Sequence, residues 1–186
     1  LGLTAIHIPE AYGGSGFGQS DLAIVLEEMG RGLLCAPFLS TVLAANAILN
    51  AGTEEQKSAL LPAIAAGEKT ATLAVSEDDG RNDAEGVATM ATPSGAAWRL
   101  EGTKSFVLDG HTADLIVVLA RRPGSQGEDG LSFFTVDGNT PGLERKRLKT
   151  MDETRKLARL TFKSVEVRLL GEAGAAAGPF ARTMQQ

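Results

Sequence analysis

Gly102-Thr-Lys-Ser-Phe-Val-Leu-Asp-Gly-His-Thr-Ala-Asp-Leu-Ile-Val-Val118 is the stretch on which the fold turns. It reads as two β-runs joined by Asp109-Gly110, a dipeptide that accepts positive φ at a hairpin tip. Short runs of the same texture continue on both sides: Ala71–Glu77, Val87–Thr92, Ala97–Glu101, Lys104–Leu108, Asp114–Arg121, Leu131–Val136, Leu143–Leu148, Leu157–Phe162 and Val165–Leu169. Turn residues separate them, namely Pro93-Ser-Gly95, Gly102, Pro123–Gly130, Asp137–Gly142 and Gly171. Many short strands without intervening helical patterns predict a closed or sandwich-like antiparallel β domain.

Upstream of Gly67 the period changes to that of helices. Ser20 is placed to cap a helix in which Leu22, Val25, Leu26 and Met29 recur, ending near Gly30 and Gly32. Ser40–Ala51 reads as a second helix stopped by Gly52, and Thr53 with Gln56 forms a capping box for a third, which Pro62 should break or restart. Gly178–Gln186 reads as the first turns of another helix, reached through a small-residue connection at Ala173–Gly178 that should be mobile.

The 186 residues, 43% of them hydrophobic, suffice for one large or two small cores. A net charge of −5 without clustered positive charge argues against a nucleic-acid surface. Runs such as Leu115–Ala120 are too short to span a bilayer. The single cysteine, Cys35, cannot form an internal disulfide, which points to a reducing, cytoplasmic setting and to a packed thiol. His7 and His111 have no partners at metal-ligand or triad spacing, and the acidic triplet Glu77-Asp-Asp79 lacks calcium-loop spacing, so no metal is expected. Arg145-Lys-Arg147 with Lys149 reads as a solvated strand face. Gly13-Gly-Ser-Gly-Phe-Gly18 fails the dinucleotide fingerprint, because Gln19 stands where the third glycine is needed.

The glycine loop does resemble something else. Pro9-Glu-Ala-Tyr-Gly-Gly-Ser-Gly16, Glu27-Glu-Met-Gly30, Gly102-Thr-Lys-Ser-Phe-Val-Leu-Asp-Gly110 and Thr150-Met-Asp-Glu-Thr-Arg-Lys-Leu157 are together similar to segments of the acyl-CoA dehydrogenases, and the resemblance covers nearly the whole chain. It implies an α+β fold: an N-terminal α-helical domain followed by an antiparallel β-barrel domain. The expected division is 1–70 for a partial helical domain, 71–171 for the barrel and 172–186 for the start of a truncated C-terminal helical domain.

The resemblance also implies FAD as cofactor. Family members carry a T-E-P-x-x-G-S-D segment against the flavin, and the aligned segment here is Ser76-Glu-Asp-Asp-Gly-Arg-Asn-Asp83. Asp78 replaces its proline, Arg81 its glycine and Asn82 its serine. Phe106 takes the aromatic position on the flavin, and Leu108 stands where a threonine hydroxyl is usual, so only its backbone N–H is left to donate. The implied cofactor-binding residues are Leu73, Val75, Ser76, Arg81, Asn82, Phe106, Val107 and Leu108, with Asn82 also near the acyl-CoA substrate. The family's catalytic glutamate lies in a C-terminal helical domain or a neighbouring subunit, so no catalytic residue is assigned. The implied activity is α,β-dehydrogenation of an acyl-CoA thioester, with an electron-transferring flavoprotein as acceptor and a homo- or hetero-oligomeric assembly. Alternatives are a non-catalytic subunit of a heteromeric dehydrogenase, and a flavin-dependent monooxygenase or acyl-CoA oxidase on the same fold.

Overall fold

The structure, a computed structural model, describes residues 2–186. Two short 3-10 turns, Leu3–Ala5 and Glu10–Tyr12, lead into helices α1 (Gln19–Arg31), α2 (Phe38–Ala51) and α3 (Glu54–Ala65). Seven strands follow among the described residues: β1 (Ala71–Ala74), β2 (Met90–Ser94), β3 (Ala97–Leu108), β4 (Leu115–Arg121), β5 (Leu131–Asp137), β6 (Leu143–Arg147) and β7 (Leu157–Leu170). Helix α4 (Ala177–Gln185) comes last.

Helix starts follow local chemistry. Gly18, not Ser20, caps α1, because Asp21 Oδ2 accepts the Gly18 N–H at 3.0 Å and Ser20 falls inside the first turn. Thr53 and Gln56 form the expected capping box on α3, each side chain taking the other's backbone N–H. Pro62 does not break that helix. Pro62 and Ser58, the residue one turn back whose partner it removes, are both exposed, so water can take the orphaned carbonyl.

The sheet closes on itself. β4, β2, β3, β7 and β5 pair in that order, and β4 pairs again with β5. One edge of the long β7 runs along β3; its other edge is shared by β6 at Ala158–Phe162 and β5 at Arg168–Leu170. Most ladders are antiparallel, but β1 lies parallel to β4 and β2 makes one parallel bridge to it. The expected hairpin at Asp109-Gly110 is therefore absent. The turn forms, with Asp109 at φ 51°, but β3 leaves towards β2 and β7 while β1 and β2 take the free edge of β4. Gly102 does not separate two strands either. It sits within β3 at φ 142°, where an added Cβ would lie 2.8 Å from the Thr89 Cα, so the close crossing of two backbones demands glycine. Ser164, at φ 53°, likewise leaves β7 unbroken.

Strand alternation builds two cores from one sheet. Ile116, Val118 and Ala120 of β4 face the barrel interior with Phe134, Val136, Leu160 and Phe162. Leu115, Val117 and Leu119 face outward, yet are buried because α2 and α3 cover them with Ala44, Ala47, Ile48, Leu61 and Ile64. Every residue of β4 is accordingly buried, which explains a continuous apolar run where an exposed barrel strand would alternate. Each fully buried Leu, Ile or Phe contributes roughly 1.5–3 kcal/mol. His7 is also buried, and burial pushes its pKa down.

The connection at 173–178 is pinned, contrary to expectation. Gly174 N–H donates to Ser132 Oγ (2.8 Å), Ala176 N–H to the Leu131 carbonyl (3.0 Å), and Phe180 meets Phe133 edge-on with ring centroids 6.5 Å apart.

Gln56 joins the helices to the barrel as well as capping α3. Its Nε2 donates to the Leu169 carbonyl (2.8 Å), and its Oε1 accepts from Gly171 N–H (2.8 Å). Gly171 itself, at φ 76°, packs so close to α2 that a Cβ would lie 2.1 Å from the Ala51 carbonyl oxygen. Substituting Gln56→Ala should cost about 1–3 kcal/mol through the lost cap and the two lost tertiary hydrogen bonds. Urea denaturation measures it, and an unchanged midpoint would show the link to be idle.

Candidate functional site

Between β1 and β2 the chain makes a long excursion, and a buried ion pair closes it at the base. Lys104, on β3, has no exposed surface; its Nζ donates to the Val75 carbonyl and to Glu77 Oε1, both at 2.8 Å. The same Glu77 oxygen accepts from the N–H groups of Ala88 (2.9 Å) and Thr89 (2.8 Å). One carboxylate thus ties the outgoing chain at 75–77 to the returning chain at 88–89, and one ammonium ties both to β3. Burial depresses the Lys104 pKa to about 8, with Glu77 opposing that shift.

Just beyond Lys104 the strand bulges. The β3–β7 register shifts between Lys104 and Val107, and Phe106 takes a left-handed φ of 59°. A non-glycine residue in that region costs about 1–3 kcal/mol and persists only where its surroundings impose it. The bulge leaves Lys104, Ser105 and Val107 buried and turns Phe106 outward, 48% exposed. Ser105 N–H donates to the Ser76 carbonyl (2.9 Å), and its hydroxyl donates to Asp78 Oδ1 (2.5 Å). Asp78 Oδ2 accepts from Arg159 Nη2 on β7 (2.5 Å).

The residues singled out from the sequence fall into three groups. Ser76, Asn82, Phe106 and Leu108 lie at or beside this edge; the Ser76 hydroxyl donates to Asn82 Oδ1, and the Leu108 carbonyl accepts from the Thr72 hydroxyl at 2.6 Å. Leu73, Val75 and Val107 have buried side chains, so they offer a ligand only backbone, and the Val75 carbonyl is already engaged by Lys104. Arg81 is exposed, but its Nε and Nη2 are held by Asp83 and Glu85, so it is not a free phosphate partner. An exposed aromatic ring flanked by hydroxyl and amide groups gives a flat surface that suits a planar heteroaromatic ring such as a flavin.

Four residues at this edge, Lys104, Ser105, Asp78 and Arg159, escaped the sequence reading as site residues. Elsewhere, Cys35 is exposed rather than packed, because the segment following α1 leaves it at the surface beside a depression of about 110 Å3 shared with Asp109, His111 and Lys156. Arg145 is spent structurally on the Ala113 carbonyl (2.9 Å), while Lys146 and Arg147 are solvated. Among the described residues, no group of three or more His, Cys, Asp or Glu side chains is arranged to hold a metal, and no helix is long and apolar enough to cross a membrane.

A helical layer thus packs on one face of a closed barrel, with an aromatic side chain turned outward at a bulge of β3. Residues 1–68 match the acyl-CoA dehydrogenase N-terminal domain and residues 72–165 the acyl-CoA dehydrogenase middle domain, and the chain belongs to that family. It is 34% identical to the mitochondrial short-chain specific acyl-CoA dehydrogenase of Bos taurus over 94% of this chain and 44% of that protein. Among solved structures, butyryl-CoA dehydrogenase from Megasphaera elsdenii superposes with a TM-score of 0.87 at 30% identity, over 98% of this chain and 51% of that one. The prolyl acyl carrier protein oxidase AnaB superposes with a TM-score of 0.89 at 29% identity, over 99% and 51% respectively. The chain thus spans about half the length of the relatives it matches.

Removing the buried cation should be costly. Lys104→Met leaves the Glu77 carboxylate largely buried and without its counter-charge, an expected loss of about 3–5 kcal/mol in denaturant unfolding. The folded chain gives up the Lys104 proton near pH 8 and the unfolded chain near 10.5. Unfolding therefore takes up a proton in that window, and the titration of Lys104 adds stability as pH rises across it, a contribution lost as pH falls through 8. The stability gap between wild type and variant is expected to widen above pH 8; a gap that narrows there would contradict the assignment.

Proposed function

We propose that this chain is the helical and barrel part of an FAD-dependent acyl-CoA dehydrogenase that introduces an α,β double bond into an acyl-CoA thioester. The observation that carries this reading is Phe106: an aromatic side chain held out of the core, at a backbone conformation with an energetic cost, by a bulge anchored on a buried ion pair. When bound, the flavin supplies the two-electron acceptor for the β-hydrogen of the thioester.

The chain's own contribution is binding and orientation. Phe106 stacks on the ring system, and the backbones of Leu73, Val75, Val107 and Leu108 line the edge beside it. Ser76 and Asn82 supply polar contacts, Asn82 also towards the thioester, and Arg81 contributes the stem of its side chain. The proton acceptor at the thioester α-carbon lies outside this chain. In this reading residues 1–70, 71–171 and 172–186 are the helical domain, the barrel and the beginning of a second helical domain. The enzyme is an oligomer, passes electrons to an electron-transferring flavoprotein, and works in the cytoplasm, where the exposed thiol of Cys35 stays reduced.

The similarity to the prolyl acyl carrier protein oxidase favours a second reading, an oxidase on the same scaffold. Leu108 is compatible with either, because it offers the flavin only a backbone donor.

The test is the visible spectrum of the full-length protein before and after anaerobic addition of a panel of acyl-CoA esters. Bleaching of bound flavin by one ester is expected and establishes the reductive half-reaction; rapid reoxidation by dioxygen would assign the oxidase. Absence of flavin after added FAD would overturn the reading. Phe106→Ala is expected to weaken flavin retention by about tenfold, the scale of one lost aromatic stack, whereas Phe106→Trp should keep it.

A further inference from the structure

We propose that Asp78 and Arg159 form a charge-balancing clasp that positions the Phe106 bulge and sets the electrostatic potential at the flavin-facing edge of this particular chain. The proposal rests on the flavin reading of that edge.

Asp78 joins three segments that converge on the bulge. Its Oδ1 accepts from the hydroxyl of Ser105, the residue preceding Phe106, at 2.5 Å, and its Oδ2 accepts from Arg159 Nη2 at 2.5 Å. Ser105 N–H also donates to the Ser76 carbonyl at 2.9 Å, so the segment carrying Asp78 is already seated against β3. Arg159 occupies the place on β7 that faces the bulge: its neighbours Ala158 and Leu160 pair with Val107 and Lys104, and the unmatched Ser105 and Phe106 lie between those two rungs. Across the other edge Arg159 is paired with Lys146 of β6, a like charge directly opposite, which the Asp78 carboxylate relieves.

The clasp is half-exposed, with side-chain exposures of 57% for Asp78 and 45% for Arg159, and ion pairs of that kind add little to stability. Its weight falls on what lies beside it. With Asp78 ionised, the guanidinium next to the ring-binding edge is neutralised; without Asp78, a net positive charge stands there. Positive charge favours the reduced flavin, on which negative charge accumulates, so the identity of residue 78 tunes how readily the flavin accepts electrons. A proline here could do neither, having no acceptor for Ser105 and no charge for Arg159.

The experiment measures the flavin reduction potential and FAD affinity of the full-length protein as wild type, Asp78→Asn, Arg159→Gln and the double variant. Asparagine keeps an acceptor for Ser105 while removing the charge. The potential is expected to rise in Asp78→Asn, to fall in Arg159→Gln, and to return close to wild type in the double variant, with melting temperatures little changed. A merely structural role would move both single variants the same way. That outcome, or potentials indifferent to both substitutions in a protein that binds flavin, overturns the clasp and leaves the flavin reading standing. A wild-type protein that takes up no FAD would remove both.

Discussion

A single ammonium group with no access to water organises the functional edge of this protein. Among the described residues Lys104 forms its ion pair with Glu77, and Glu77 spends one oxygen on Lys104, Ala88 and Thr89 at once. Burying such a pair is seldom a net gain in stability, since both charges lose water. Its structural effect is positional: the excursion between β1 and β2 leaves and returns through one carboxylate, and β3 cannot slide without breaking the two contacts of Lys104, to the Val75 carbonyl and to Glu77. The bulge at Phe106 begins two residues later, so the outward turn of that ring depends on where the ammonium is anchored.

The helices serve the barrel in a way that composition alone does not reveal. β4 contributes alternate side chains to the barrel interior and to the interface with α2 and α3, so a single strand belongs to two cores. Gln56 and Gly171 then lock the two layers at one end, the first through hydrogen bonds, the second through the absence of a side chain. A rigid helical backing on one side of the sheet leaves the β3–β7 edge as the face able to carry variable chemistry. Asp78 meets that face through Ser105 and Arg159, and Asn82 lies beside it on Ser76.

Much of the architecture was legible residue by residue. The capping box at Thr53 and Gln56 and the start of α4 are set by contacts within a few residues and appear where local reading puts them. The strand runs fall in the right regions, except that β3 and β7 run unbroken where local reading divides them at Gly102 and after Phe162. Legibility failed wherever a distant segment competed. Asp109-Gly110 makes its turn, but β1 and β2 occupy the edge of β4 that β3 would need, so no hairpin forms. Ser20 loses the cap of α1 to Gly18 because Asp21 takes the Gly18 N–H. The site was half legible: Ser76, Asn82, Phe106 and Leu108 stand at the edge, whereas Arg81 is consumed by neighbouring carboxylates and the side chains of Leu73 and Val75 face the core.

By itself the sequence determined the helix-then-strand order and most of the turn positions, because hydrophobic period and turn chemistry act over short distances, while its motif resemblance pointed to the family and to Phe106. Only the tertiary structure decided that the sheet closes, that β1 runs parallel to β4, that Lys104 is buried on Glu77, and that Asp78 meets Ser105 and Arg159. Those contacts join residues far apart in the chain. Their partners are selected by which backbone edges and charges remain unsatisfied once the local elements have formed, and no stretch of sequence carries that information alone.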